Sequence, residues 1–278
     1  MIAFVGSVFS PYYAWTRALR GRADPEDFVS INVALTTPRG KLWCMTERGS
    51  ARLQRSTTQF SVGPSSLHWT GDQLVIDLDE VTVPIPRRVR GRITLRPHAL
   101  TAEPFALDPG FRHAWWPLAP SADVEVALES PAWRWNGRGY MDRNWGMEPL
   151  ESAFSTWTWS RTHFGDKTLL FYDANLRVGA ARGLALRVDA AGQTTAVEAP
   201  PVAQLAASGW RLPRQTRSDG SARVVKTLVD APFYARASVE TRWGQQHGLG
   251  MHETLSLDRF RNPIVQAMLP FRMPRRAR

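Results

Sequence analysis

The segment Asp123-Val-Glu-Val-Ala-Leu-Glu129 alternates polar and apolar side chains along its whole length. A period of two is typical of a β-strand with one face in a core and the other in water. The segments 73–79 and 235–243 alternate in the same way, and the apolar runs 168–172, 184–188 and 222–229 indicate further strands. The chain is therefore predicted to be rich in half-buried strands.

Turn-forming dipeptides separate these strands. They are found in Pro38-Arg-Gly40, Thr70-Gly-Asp72, Asn136-Gly137, Ala191-Gly192 and Asp219-Gly220. Amphipathic helices are few, and Pro200–Gly209 is one short candidate. The pattern predicts an all-β fold of antiparallel barrels or sandwiches. The cluster Met147-Glu-Pro-Leu-Glu151 marks a candidate junction, which gives an N-terminal domain over residues 1–148 and a C-terminal domain over 149–278.

The composition bounds the class of protein. With 278 residues, 43% of them hydrophobic and 22% charged, the chain is long enough for a sizeable globular core. The single Cys44 excludes an intramolecular disulfide framework and a cysteine-based zinc cluster. The histidines are dispersed and no phosphate-binding or dinucleotide-binding glycine motif is present, so we expect no metal and no cofactor.

The net charge of +10 suggests an anionic partner, either nucleic acid or a membrane surface. The arginines are spread along the chain without a nucleic-acid-binding signature, so we expect no nucleic acid, and an arginine-rich surface without a partner is an alternative. The segment Met268–Arg278 mixes apolar residues with four arginines, which suits either an anionic bilayer or a frayed end. No apolar run reaches the length of a membrane span. The apolar first segment, Met1–Tyr13, lacks the basic region of a secretory signal, and Ser10-Pro11 is expected to break it early. We therefore expect a cytoplasmic protein at the periphery of a membrane.

Tryptophan is unusually common and unevenly placed. Of 12 tryptophans, seven lie in one stretch: Trp115, Trp116, Trp133, Trp135, Trp145, Trp157 and Trp159. In a strand, residues two apart share a face, so the pairs 133/135 and 157/159 each project two indoles to one side. One interpretation is an indole-filled core. The other is a pocket for a flat, extended apolar ligand, and it accounts better for so many N–H groups that need acceptors.

Polar side chains that suit acid chemistry lie within this aromatic stretch. As a strand, residues 139–146 place Tyr140, Asp142 and Asn144 on one face and Met141, Arg143 and Trp145 on the other. A carboxyl beside a tyrosine in aromatic surroundings is a candidate proton donor if burial raises its pKa. The alternative is a turn residue or the partner of an arginine. His113 shares a face with Trp115, although a lone histidine is more often a satisfied structural residue.

Three segments carry a resemblance to a known family. They are Gly139-Tyr-Met-Asp-Arg-Asn-Trp-Gly146, His113-Ala-Trp115 and Phe4-Val-Gly-Ser-Val-Phe-Ser-Pro11. Together they resemble the bacterial acyclic carotenoid 1,2-hydratases, also called hydroxyneurosporene synthases, through nearly the whole chain. One position departs from the family, since many relatives carry histidine where this chain has Arg143.

The resemblance implies two lipocalin-like β domains and the addition of water to the terminal C1–C2 double bond of an acyclic carotenoid such as neurosporene or lycopene. It implies no redox or metal cofactor, and a substrate drawn from the bacterial inner, photosynthetic membrane. By motif match His113, Trp115, Tyr140 and Asp142 are carried over as catalytic residues. We hypothesise that Asp142 protonates C2, that indole rings stabilise a tertiary cation at C1, and that Tyr140 or His113 positions the water. His113 would then take up the released proton. Substrate contacts are expected from Trp133, Trp135, Trp145, Trp157 and Trp159.

Two other functions remain open on the sequence. A lipocalin-like carrier of a carotenoid or another isoprenoid needs the aromatic pocket but no acid within it. A family member with another substrate, such as a cyclase or an isomerase, would share the fold and differ in its product.

Overall fold

The structure is a computed structural model that describes residues 1–37 and 40–276. Within these residues the chain is dominated by strands, with few helices. The strands before residue 100 are β1 (Ile2–Val5), β2 (Val29–Thr37), β3 (Gly40–Arg48), β4 (Leu53–Arg55), β5 (Gln59–Val62), β6 (Ser65–Trp69), β7 (Leu74–Val81) and β8 (Arg88–Pro97). The middle strands are β9 (Phe105–Ala106), β10 (His113–Ser130), β11 (Arg134–Gly146), β12 (Phe154–Phe164), β13 (Lys167–Leu176), β14 (Arg182–Val188) and β15 (Thr194–Ala196). The last strands are β16 (Val202–Leu205), β17 (Arg214–Arg217), β18 (Arg223–Asp230), β19 (Tyr234–Trp243), β20 (Gln246–Ser256) and β21 (Arg275–Arg276). The α-helices are α1 (Pro11–Arg20), α2 (Leu150–Ala153), α3 (Leu257–Phe260) and α4 (Pro263–Met268).

The chain divides into two compact units that alternate along the sequence. Unit 1 comprises Met1–Pro97, Ala122–Gly139 and Gln266–Arg278, and unit 2 comprises His98–Ser121 and Tyr140–Val265. The sequence predicted two domains with one boundary between residues 148 and 149. The two compact units interleave along the chain because the long strands β10 and β11 each contribute one part to unit 1 and the other part to unit 2.

Unit 1 is a sandwich of two open sheets. In one sheet the strand order is β1-β2-β3-β21, and in the other β10, β8, β7, β6, β5 and β4 are successive neighbours. Apolar side chains from both sheets form one core: Val29, Ile31, Val33, Leu35, Cys44, Val62, Ile76, Leu78, Val89, Val126 and Leu128. The alternation read in residues 73–79 and 123–129 supplies four of these buried positions. The all-β prediction is confirmed, and of its two forms the open sandwich is the one observed.

Unit 2 is built on a seven-stranded antiparallel sheet in the order β15-β14-β13-β12-β20-β19-β18. Directly paired residues on neighbouring strands point to the same face. Trp159 of β12 pairs with Tyr172 of β13 on one side and with Glu253 of β20 on the other, and Glu253 pairs in turn with Arg236 of β19. One face of this sheet therefore carries a row of aromatic and charged side chains.

Two local expectations were wrong. Pro200–Gly209 contains no helix, since Val202–Leu205 forms β16 in a hairpin with β17, and the residue before Pro201 favours extended backbone. Ser10-Pro11, which we read as ending the apolar N-terminal run, begins α1. The Ser10 hydroxyl accepts a hydrogen bond from the Tyr13 amide at 3.0 Å, and proline at the first helical position loses no intrahelical bond.

The C-terminal segment packs against the rest of unit 1 up to residue 276, the last residue that the structure describes. Arg275–Arg276 pairs in parallel with β3. The Arg275 guanidinium forms an ion pair with the buried Glu47 and lies 4.4 Å from the centre of the Phe28 ring. The frayed-end reading is thus wrong for residues 268–276. The predicted turn residues Pro38 and Arg39 and the last two residues of the tail lie outside the described residues.

Candidate active site

Trp115 is the centre of the polar network in unit 2. It is fully buried, and its indole N–H reaches two acceptors, the Tyr140 hydroxyl at 3.2 Å and Asp142 Oδ2 at 3.1 Å. Its ring is covered by Phe105, whose centroid is 6.2 Å away, and by Tyr172, at 5.3 Å. Because no part of the ring is accessible, Trp115 orients the acid and the phenol by hydrogen bonding.

Asp142 is exposed as a residue, whereas the surrounding protein desolvates its carboxylate. Besides the bond from Trp115, the carboxylate accepts hydrogen bonds from the Tyr140 hydroxyl and from the Asn144 amide, the latter at 3.3 Å. Burial raises the pKa of Asp142 to about 6, and the negative charge of Glu253 adds to the increase. With that pKa about a tenth of the carboxyl groups hold a proton at pH 7, against about a thousandth for an ordinary aspartate. The site thus contains a carboxylic acid that can donate a proton near neutral pH.

Tyr140 links this acid to the wall of the unit 2 sheet. Its ring lies 5.1 Å from Trp159, and the Arg161 guanidinium lies 5.1 Å from its centre. Burial, followed by the charge of Asp142, raises the pKa of Tyr140 well above its ordinary value. Tyr140 is therefore a phenol at all working pH values and donates to the Asp142 carboxylate.

Aromatic rings line the sheet beside these polar groups. Trp157 is partly exposed, and its ring lies 5.7 Å from Tyr172 and 6.5 Å from Phe154. Trp159 is 8% exposed, and its indole N–H is buried without an acceptor in the part of the chain that the structure describes. These rings form an apolar wall with electron-rich faces, which suits a polyene or a carbocation.

His113 is engaged at both ring nitrogens. Nδ1 lies 3.1 Å from the Asp108 carboxylate and Nε2 lies 3.2 Å from the Glu148 carbonyl oxygen. Burial raises the pKa of Asp108, but the amide donors of Arg112 and His113 outweigh it and leave that pKa below its usual range. Both ring nitrogens thus face oxygen atoms of the protein. The His113 side chain is 1% exposed, and its ring centroid lies 4.9 Å from that of Phe154. It therefore supports the site by packing and hydrogen bonding.

Trp133, Trp135 and Trp145 were also predicted to contact the substrate. Trp133 belongs to unit 1 and packs against its apolar core, and Trp135, also in unit 1, is 38% exposed. Both precede Gly139, where β11 passes from unit 1 to unit 2. Trp145 is 37% exposed and its ring lies 5.1 Å from the Arg143 guanidinium, which places both on the face of β11 opposite Asp142, as the alternation predicted. Within unit 2 the structure brings Trp115, Tyr140, Asp142, Trp157 and Trp159 together.

A second charged group at the site was missed in the sequence. Glu253 accepts hydrogen bonds from Arg236 Nε and Nη2 at 2.8 Å, and it is hydrogen-bonded to Tyr234. Burial and the charge of Glu253 raise the pKa of Tyr234 well above its ordinary value, so the phenol keeps its proton. The alternation of β20 places residue 253 on the same face as 251 and 255, but the sequence pattern does not connect β20 with Tyr140 or Asp142.

Residues 1–37 and 40–276 contain neither a candidate metal-binding cluster nor a membrane-spanning helix. No group of three or more histidine, cysteine or acidic side chains is placed to hold a metal ion. No helix there is long and apolar enough to cross a membrane.

Comparison with solved structures identifies the class of fold to which this chain belongs. A crystal structure described as an AttH from Nitrosomonas europaea has the same fold, with a TM-score of 0.59 at 15% identity, covering 82% of this chain and 80% of that one. The fold is thus a lipocalin-like β-sandwich, and its second unit carries a carboxylic acid walled by aromatic rings.

The family follows from the sequence. The family model "Carotenoid hydratase CrtC" matches residues 1–278. The acyclic carotenoid 1,2-hydratase of Thiocapsa roseopersicina is 51% identical over 99% of this chain and 68% of that protein. The protein of the same name from Rhodobacter capsulatus is 42% identical over the full chain and 98% of that protein. This chain belongs to the carotenoid hydratase family, and it is accordingly a hydro-lyase.

Proposed function

We propose that this chain adds water across the terminal C1–C2 double bond of an acyclic carotenoid such as neurosporene or lycopene. The observation that carries the proposal is the Asp142 carboxyl with its raised pKa, held by Trp115 and Tyr140 beside a wall of aromatic rings. An isolated alkene is a very weak base, so its protonation needs an acid that keeps its proton in an apolar setting.

The reaction proceeds through a cation. Asp142 transfers its proton to C2, which leaves a tertiary carbocation at C1 and a carboxylate on Asp142. The partly exposed Trp157 and the neighbouring Trp159 present ring faces that stabilise the cation, each by about 1–2 kcal/mol when desolvated. The Asp142 carboxylate adds further stabilisation. Water then attacks C1 and gives a tertiary alcohol, and loss of one proton from the added water completes the addition.

Three parts of the predicted site take roles that follow from their placement. Trp115, which is fully buried, positions Asp142 and Tyr140 by its N–H. His113 holds the Asp108 loop and the Glu148 segment against β10, since both its ring nitrogens are engaged. Tyr140 keeps the Asp142 carboxyl oriented toward the substrate.

The test is a comparison of wild type with Asp142→Asn. Asparagine keeps the shape and an acceptor for the Trp115 N–H but has no proton of comparable acidity. We expect it to bind the carotenoid, detected by quenching of tryptophan fluorescence, and to form hydroxylated product at least about 100-fold more slowly. Product formation by Asp142→Asn at the wild-type rate would remove Asp142 from the mechanism. Binding without product in the wild type itself would instead favour the carrier function.

We further propose that the protein collects its substrate at a membrane surface. A carotenoid is dissolved in the bilayer, and unit 1 presents a suitable contact. Trp15 and Leu19, one turn apart on α1, are 42% and 85% exposed, and Arg20 and Arg22 follow them. Exposed aromatic and aliphatic side chains beside arginines suit the interface of an anionic bilayer.

A further inference from the structure

Hydration requires a group that binds the water and removes its proton, and the sequence-based candidates do not fill this role. Both ring nitrogens of His113 are occupied by Asp108 and the Glu148 carbonyl, and the side chain is 1% exposed. Tyr140 keeps its phenolic proton. A general base must accept a proton and must lie beside the aromatic wall at which the substrate is proposed to bind.

Glu253 meets both requirements. Its side chain is 23% exposed, so water reaches it, and it stands directly opposite Trp159 across the β12–β20 pair. Trp159 in turn contacts Tyr140, which is hydrogen-bonded to Asp142. Glu253 therefore lies on the same aromatic wall as the rings assigned to the cation.

The surroundings of Glu253 hold it in place and leave room for a water. Arg236, its partner across the β19–β20 pair, directs two N–H groups to Oε1, and Tyr234 supplies a further hydrogen bond. A carboxylate has about four acceptor positions, so these contacts do not saturate it. An arginine and a tyrosine fix its orientation while it remains a proton acceptor.

We propose that Glu253, oriented by Arg236 and Tyr234, binds the attacking water and accepts its proton. This inference rests on the proposed function. As the water oxygen forms its bond to C1, one O–H bond breaks and its proton passes to the Glu253 carboxylate, so the product is a neutral tertiary alcohol. The cycle ends with Glu253 protonated and Asp142 ionised. Transfer of one proton from Glu253 to Asp142 restores the starting state, and the net reaction is alkene plus water to alcohol.

The charges around Asp142 support this pairing. Its own strand contributes Tyr140 and Asn144, and β10 contributes the Trp115 N–H. The sheet contributes Glu253 and Tyr172, which interact electrostatically with Asp142. Arg161 acts on Tyr140, and Arg236 and Tyr234 are partners of Glu253. The charge of Glu253 raises the pKa of Asp142, after burial, and also that of Tyr172, after burial and Asp142. Glu253 is therefore close enough to the site for its charge to act on the proposed acid.

The test is Glu253→Ala with chemical rescue. Removing the carboxyl should lower kcat by about 100-fold or more with little change in KM, because the apolar contacts remain. Acetate has the size of the group removed and should restore part of the rate in a concentration-dependent way. Glu253→Gln, which fills the space and offers no base, should be equally slow and should not respond to acetate.

Glu240→Ala is the matched control. Glu240 also pairs with an arginine across two strands of the same sheet, Arg223 on β18, and the structure gives it no part in the Asp142 network. The Glu240→Ala protein should form product at the wild-type rate, with or without acetate. A Glu253→Ala protein with wild-type kcat would overturn the inference, and so would a folded, carotenoid-binding Glu253→Ala protein whose slow rate acetate leaves unchanged. Either result with an active wild type leaves the proposed function standing, whereas an inactive wild type refutes that function itself.

Discussion

Replacing Asp142 by asparagine should stabilise the folded protein at neutral pH. The pKa of Asp142 rises from 3.8 to about 6 on folding, chiefly through burial. For a carboxyl with a raised pKa, the folded state holds the proton more tightly than the unfolded chain. The free energy of unfolding therefore falls as the pH rises from about 4 to about 6 and the lost stability is not recovered above that range.

The size of this effect follows from the shift. Two pKa units correspond to about 3 kcal/mol, which is an upper limit. Asp142 keeps surface open to water, so solvent screening reduces the figure to about 1 kcal/mol. Asparagine carries no charge at any pH. We thus expect Asp142→Asn and wild type to have similar stability near pH 4, and the variant to be about 1 kcal/mol more stable at pH 8.

The assay is urea unfolding of both proteins, followed by tryptophan fluorescence, at intervals from pH 4 to pH 8. Asp79→Asn is the control. A hydrogen bond from Arg88 lowers the pKa of Asp79, so its stabilising contribution is present above about pH 4 and is lost only below that. The stability difference between Asp79→Asn and wild type should therefore stay nearly constant from pH 4 to pH 8. A stability difference between Asp142→Asn and wild type that is the same at pH 4 and pH 8 would refute the enclosure of the Asp142 carboxylate.

Two further predictions concern packing and the membrane. Alanine at Gly146 would place its Cβ in a steric clash with the His113 ring at Cδ2, so Gly146→Ala should lower the free energy of unfolding by about 1–3 kcal/mol in thermal or urea denaturation. Gly137, on the same strand with open space around it, is the control, and an equal loss in Gly137→Ala would argue against the contact with His113. Co-sedimentation with vesicles of anionic lipid should weaken severalfold when Trp15 and Leu19 are both replaced by serine, and should be weak with zwitterionic vesicles for all variants. Equal binding of wild type and the double variant would exclude α1 as the contact.

The period-two pattern was sufficient to predict the strands, because a strand with one buried face alternates apolar and polar side chains. Residues 123–129 and 235–243 lie in β10 and β19 as predicted. The pattern could not show that β10 and β11 each serve two units, because the order of side chains along one strand does not identify its partner strands. It also could not separate the helix-starting role of Ser10-Pro11 from a simple break, because both depend on the same two residues.

The acid and its immediate partners could be predicted because Tyr140, Asp142 and Asn144 are on one strand, where spacing determines the face. Glu253 could not be found in this way. It reaches the site through the pairing of β12 with β20, almost a hundred residues apart in the chain, and only the fold brings them together. Trp133 and Trp135 lie near Tyr140 in sequence but belong to unit 1, and spacing along β11 alone could not show this division.

The interleaving of the units sets the order in which the chain can mature during synthesis. The strands of the unit 2 sheet, from β12 to β20, form an unbroken stretch and can pair as soon as residue 256 has emerged from the ribosome. Unit 1 begins earlier but gains its edge strand β21 only from the final residues. Until Arg275 arrives, the buried Glu47 lacks its guanidinium partner. Unit 1 therefore begins to form before unit 2 but is completed after it. In ribosome-bound chains stalled before residue 270, unit 1 should be open to proteolysis.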